Sequence, residues 1–258
     1  MNLGLDGCKV VVLGGAKGIG RGISEALAAE GGELLIASRD EANLATVAEQ
    51  IRTRQGAKVS TAILDLANES SIDAFLTLNL EVDILVLNGG GPPPGPVADV
   101  KVEAWRSQFE AMVLAPIRIA TAMLPWMRKQ RFGRIIVVLS SGVVQPIPNL
   151  GVSNTMRSAL VAWAKTLAAE VAGDGVTVNG VVPGRIGTDR VAALDRANAQ
   201  RKQISPEQER AASLATIPAG RYGTVDELGS TVAFLASRKA SYITGSLVRV
   251  DGGLIRSI

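Results

Sequence analysis

Near the start of the chain, Gly14-Gly15-Ala16-Lys17-Gly18-Ile19-Gly20 has the composition of a loop that holds phosphate. It follows a β-branched run and precedes a helical pattern opening at Arg21. In such a turn Gly14 permits the tight change of direction, Gly18 lets backbone approach a pyrophosphate, and Gly20 lets the helix pack closely on the sheet. The helix N-terminus then offers free N–H groups and the positive end of its dipole. A nucleotide site is therefore expected at Gly14, Ala16, Lys17, Gly18, Ile19 and Gly20. The next β-branched run ends in Ser38-Arg39. An acidic residue there would hold the ribose hydroxyls of NAD, whereas an Arg accepts a 2'-phosphate. Arg39, with Lys17, points to NADP over NAD. Asp40 follows at once and has a second reading as a helix N-cap.

The absence of histidine removes the commonest general base, Ser-His triads and His-containing metal sites. The single cysteine, Cys8, forms no internal disulfide and reads as a small core residue beside Val10. A formal charge of +3 without a basic tail, with only 3% aromatic residues, argues against a nucleic-acid partner. The first nine residues lack a cationic and apolar leader, and the apolar runs are strand-sized. No membrane partner and a cytoplasmic location are expected.

These groups need a scaffold to converge. Short β-branched runs at 9–13, 33–38, 58–64, 83–88, 134–140, 177–181 and 247–250 alternate with helical patterns at 19–30, 41–54, 105–129, 154–171 and 225–236. That alternation predicts a single α/β domain over 1–258: a Rossmann fold with a doubly wound, seven-stranded parallel sheet and helices on both faces. A polar excursion at about 185–219 breaks the rhythm and reads as a lid or binding loop. Its Arg190, Arg196, Arg201, Lys202 and Arg210 could attract an anionic substrate. Asp189, Asp195, Glu207 and Glu209 nearly balance them, which favours a solvated face.

The Gly-x-x-x-Gly-x-Gly spacing resembles that of the short-chain dehydrogenase/reductase family. Further matches span the chain. Asp83-Ile84-Leu85-Val86-Leu87-Asn88-Gly89-Gly90 is similar to that family's fourth strand and turn, and Val178 to Thr188 to its sixth strand and Pro-Gly turn. Gly220-Arg221-Tyr222-Gly223, Ser241 to Gly245 and Val250-Asp251-Gly252-Gly253 resemble the ends of bacterial 3-oxoacyl carrier-protein reductases. The resemblance implies cofactor contacts at Asn88, Gly89, Gly90, Pro183, Gly184, Ile186 and Thr188. It implies an adenine-contacting pair at Asp65-Leu66, although Asp65 alone is equally a turn residue. It also implies a homotetramer built through the helices at 105–129 and 154–171.

The family's chemistry uses a Ser, a Tyr, a Lys four residues later and an Asn in the preceding long helix. Here the Ser corresponds to Ser141, with Ser140 the alternative. Counting back from Ala159-Leu160, the Tyr position falls on Ser153 and the Lys position on Arg157, while the Asn position falls on Met112. Tyr222 and Tyr242, the only tyrosines, both belong to the C-terminal matches. Ser153 is a poor acid beside a phenol, and Arg157 stays protonated, so it can hold ribose hydroxyls but not relay protons. Pro116, lacking an N–H, either frees the Met112 carbonyl to hold a water or merely kinks the helix. The prolines after Gly91 read as a rigid rim, with a substrate motif the less favoured alternative.

The expected function is NADP-dependent reduction of a small-molecule ketone, 3-oxoacyl or other, by hydride transfer. Ser141, Ser153 and Arg157 stand in the catalytic positions. The competing readings are a non-catalytic nucleotide-binding protein and a non-redox reaction on the same scaffold.

Overall fold

A computed structural model describes residues 2–258. Its seven strands are β1 (Lys9–Leu13), β2 (Glu33–Ser38), β3 (Val59–Ile63), β4 (Ile84–Leu87), β5 (Gly133–Val138), β6 (Val176–Pro183) and β7 (Leu247–Val250). All neighbours pair in parallel, in the order β3-β2-β1-β4-β5-β6-β7. The chain reverses its winding between β1 and β4, and the loops leaving those strands diverge around a crevice.

The α-helices are α1 (Gly18–Ala29), α2 (Glu41–Gln55), α3 (Glu69–Leu76), α4 (Val102–Phe109), α5 (Ala115–Gln130), α6 (Gly151–Val171), α7 (Asp189–Lys202), α8 (Pro206–Ala215) and α9 (Val225–Ala236). Alternate residues of each central strand feed opposite layers, which is why these strands read as continuous apolar runs. Val10, Val12, Ile84 and Val86 pack with Ile23, Leu27 and Val232 on one face. Val11, Leu13, Leu85 and Ile135 pack with Ile119, Met123 and Leu160 on the other.

Several boundaries differ from the expected ones for identifiable reasons. Strand β6 runs two residues further, because Val182 and Pro183 pair with β7 beyond the end of the β5 pairing. Helix α3 interrupts a stretch with no strong apolar period; Asn68 caps it by accepting from the Ser71 N–H, and only Ile72 and Phe75 are buried. Helix α6 starts at Gly151, so Ser153 lies in its first turn rather than before it. The expected helix at 105–129 is α4, a π turn at Glu110–Leu114 and α5. The Ala115 N–H donates to the Glu110 carbonyl across that turn, immediately before Pro116 removes a helical donor. By length and composition alone, the continuous stretch Val102–Gln130 would reach across a membrane, which the strand-sized apolar runs did not suggest. Its inward residues, Ile119, Met123 and Met127, are packed in the core. The polar excursion folds into α7 and α8, started by Thr188 and by a Ser205-Gln208 capping box.

Leu85 is fully buried at the centre of the sheet. Leu85→Ala should cost about 2–5 kcal/mol of stability in urea unfolding, because a packed parallel sheet collapses poorly around a cavity.

Candidate functional site

The turn from β1 into α1 is held by side chains from neighbouring strands. Gly14 adopts φ +60°, in the left-handed region. Its N–H donates to the Ala37 carbonyl at 2.7 Å. The Asn88 amide, at the end of β4, donates to the Leu13 and Gly14 carbonyls at 3.1 and 3.3 Å. A Cβ at Gly20 would collide with the Gly14 carbonyl and the same amide, so only glycine lets α1 approach this closely. The buried Ser24 hydroxyl closes the loop by donating toward Gly15 and Gly20. No side chain caps α1, so its first N–H groups stay open.

Asn88 and the neighbouring Gly89 and Gly90 line a cavity of about 810 Å³ at the carboxyl ends of β1, β4, β5 and β6. Its lining includes Gly14, Lys17, Gly18, Ile19 and Gly20 from the turn, Ser141, Ser153 and Arg157, and Pro183, Gly184, Ile186 and Thr188. Four residues expected at the site stand apart from that lining. Ala16 is buried, and its carbonyl accepts from the Asn43 amide. Arg39, Asp65 and Leu66 lie beyond the ends of β2 and β3, past the rim. Asp65 accepts from the Ala67 N–H, as a turn residue does, while Leu66 Cδ1 lies 3.3 Å from where a Gly89 Cβ would stand.

Arg39 is exposed and unpaired among the described residues. Beside it the buried Ser38 hydroxyl has no hydrogen-bond partner. Asp40 takes the N-cap reading, capping α2 through the Asn43 N–H, and it also pairs with Lys17 at 2.7 Å. The Lys17 ammonium, and then the Asn43 N–H, hold its carboxyl below the usual range. Lys17 is thus paired, in a solvent-exposed ion pair.

Ser141 and Ser153 are 7% and 8% exposed, line the same cavity, and make no side-chain hydrogen bond to the described residues. Ser140 differs, because its hydroxyl accepts from the Gly142 N–H at 3.1 Å to start a 3-10 turn. Ser153 and Arg157 stand one helical turn apart on the same face of α6. Arg157 Nη1 donates to the Val138 carbonyl at 2.7 Å, and Nη2 reaches the Gly90 and Gly89 carbonyls at 3.4 and 3.5 Å. It has no carboxylate partner, and burial, then the charge of Arg190, pushes its pKa down to about 10.

Neither tyrosine reaches this cavity. Tyr242 is fully exposed, whereas Tyr222 is buried and donates to Asp195 at 2.8 Å. Burial pushes its phenol up from the ordinary value. Buried Asp195, on α7, also accepts from Arg185. Lining residues such as Gln145, Ile147, Leu194, Asn198 and Arg256 carried no sequence signal, because they come from separate segments without a motif and meet only in the fold.

A family profile described as Enoyl-(Acyl carrier protein) reductase matches residues 14–255. The chain is 35% identical over 259 residues to 3-oxoacyl-(acyl-carrier-protein) reductase FabG of Salmonella typhimurium, covering 98% of this chain and 99% of the relative. Among solved structures it is similar to L-sorbose reductase from Gluconobacter frateurii complexed with NADPH and L-sorbose. That likeness has TM-score 0.94 and 29% identity over 100% of both chains. It is also similar to YwfH, an NADPH dependent reductase involved in bacilysin biosynthesis. There the TM-score is 0.92 and the identity 28%, over 98% of this chain and 100% of the other.

Asp195 is the buried pivot tying α7 to Arg185 and Tyr222. Asp195→Asn should leave the fold intact while speeding amide hydrogen exchange along α7 by about tenfold, the loss of one charged hydrogen bond.

Proposed function

The chain belongs to the short-chain dehydrogenase/reductase family, and from that premise we propose an NADPH-dependent reductase of ketones that works without the family's tyrosine. The observation that carries this reading is the pair of unpartnered hydroxyls of the largely buried residues Ser141 and Ser153 on one cavity, beside Arg157. Similarity to 3-oxoacyl carrier-protein reductase and to NADPH-dependent reductases supports the substrate class and the cofactor.

The residues suit such a cofactor. The glycine turn and open N-terminus of α1 accept a pyrophosphate. Arg39 suits a 2'-phosphate, and Asp40 opposes it little because Lys17 already occupies that carboxylate. Asp65 and Leu66 would hold the adenine, and Asn88, Gly89, Gly90, Pro183, Gly184, Ile186 and Thr188 would hold the nicotinamide half. Bound there, NADPH supplies the hydride.

Ser141 and Ser153 donate to the substrate carbonyl oxygen as it gains negative charge; each preorganised donor contributes about 3 kcal/mol. Water in the cavity supplies the proton, since neither hydroxyl has the acidity of a phenol. Ketone, hydride and proton balance as alcohol, and the resulting hydroxide is neutralised by solvent. Arg157, with a pKa of about 10, remains cationic near neutrality. It holds ribose hydroxyls and favours the developing alkoxide, but relays no proton. The exposed Val102 and Phe109 on α4 suit a subunit interface, in keeping with a homotetramer.

NADPH should bind more tightly than NADH in calorimetry, and Arg39→Asp should narrow or reverse the preference; equal affinities unaffected by the change would refute the phosphate assignment. Slow NADPH oxidation with ketones should fall about 100-fold in Ser141→Ala. Ser153→Tyr with Arg157→Lys should raise it about 100- to 10,000-fold, the range of general-acid catalysis. A silent wild type with an active double variant would instead identify a nucleotide-binding protein descended from an enzyme.

A further inference from the structure

We propose that the substrate carries a carboxylate and that Arg190 is the residue that selects it. This deepens the reductase reading above and rests on it. Counted along the chain, the cations of the excursion are almost matched by acids. In space they are not.

Asp195 is consumed by Arg185 and Tyr222, and Glu209 is consumed by Lys202 at 2.7 Å. Lys17, at the other end of the cavity, is paired with Asp40. Among the cavity-lining cations, Arg157, Arg190 and Arg256 have no carboxylate partner among the described residues. Asp189 is the only acid in that lining.

Arg190 and Arg157 converge at one point. Their Nη2 atoms lie 2.8 and 3.8 Å from where a Cβ on Gly91 would stand. Arg157 is fixed there by the carbonyls of Val138, Gly89 and Gly90, which orient its charge without cancelling it. The like charge of Arg190 contributes to lowering the Arg157 pKa. Two guanidinium groups aimed at one point, Arg157 buried and Arg190 exposed, repel each other less when an anion is shared between them. Planar guanidinium forks suit a planar carboxylate. Arg157 shares its face of α6 with Ser153, so an anion held by this pair lies on the Ser153 side of the cavity rather than at the glycine turn. An oxo acid places its two polar groups in that relation.

The test pairs three oxo acids, pyruvate, acetoacetate and levulinate, with their methyl esters. Binding is measured by calorimetry on the NADP-loaded protein, and turnover by NADPH oxidation. At least one acid should bind about tenfold or more tightly than its ester. Arg190→Ala should erase that preference while changing NADPH affinity less than about threefold, and Arg190→Lys should keep part of it. The proposal fails if no acid binds at millimolar concentration, if acid and ester bind alike, or if the preference survives Arg190→Ala. It also fails if Arg190→Ala weakens NADPH binding as strongly as acid binding, which would assign the guanidinium to the cofactor's phosphates. Retained acid preference without any turnover would sink the reductase reading alone.

Discussion

A parallel sheet ends in a row of backbone carbonyls whose chains then diverge, and a crevice can open there only if side chains satisfy those groups. In this protein two residues carry most of that burden. Asn88 reaches from β4 to the carbonyls of Leu13 and Gly14, and Arg157 reaches from α6 to those of Val138, Gly89 and Gly90. Together they tie the ends of β1, β4 and β5 around one cavity. The glycine turn keeps its shape because Asn88 holds it, and Ser141 and Ser153 face the same space because Arg157 anchors α6 to the end of β5.

This double duty bears on the chemistry. A lysine at position 157 would present one compact ammonium; the guanidinium has donors to spare, so one side can grip the strand ends while the other faces the cavity. The price is proton mobility, since a group that stays charged cannot pass protons on. The rest of the site is correspondingly built around hydroxyl donors and solvent. The Tyr222 phenol is no substitute: it is tied to Asp195 on α7, and burial moves its titration away from neutrality.

Helices α7 and α8 follow the same logic of pairing. They bury few apolar side chains, and what fixes them is ionic: Arg185 with Asp195, and Lys202 with Glu209. Because each pair uses an acid that is buried, the acids are unavailable elsewhere. Arg190 is left as an exposed cation turned over Gly91, and the cavity acquires a positive end beside its hydroxyls.

Much of this was written in residue identity. The strands were legible because the central ones are buried on both faces and so read as unbroken β-branched runs. The phosphate turn was legible because glycine is the residue that tolerates its left-handed φ and its close helix approach. The absence of histidine, and of any tyrosine outside the two C-terminal segments, limited the acid-base chemistry before any coordinates. Helix α3 and the early start of α6 were not legible, since an Asn cap or a loop hydrogen bond set those ends rather than an apolar period. The π turn was hinted at by Pro116 alone. What only the tertiary structure decided is which charges cancel. Lys17 with Asp40, Arg185 with Asp195 and Lys202 with Glu209 lie 23, 10 and 7 positions apart, so no local spacing rule selects them. Coulomb attraction depends on distance through space, and folding sets that distance.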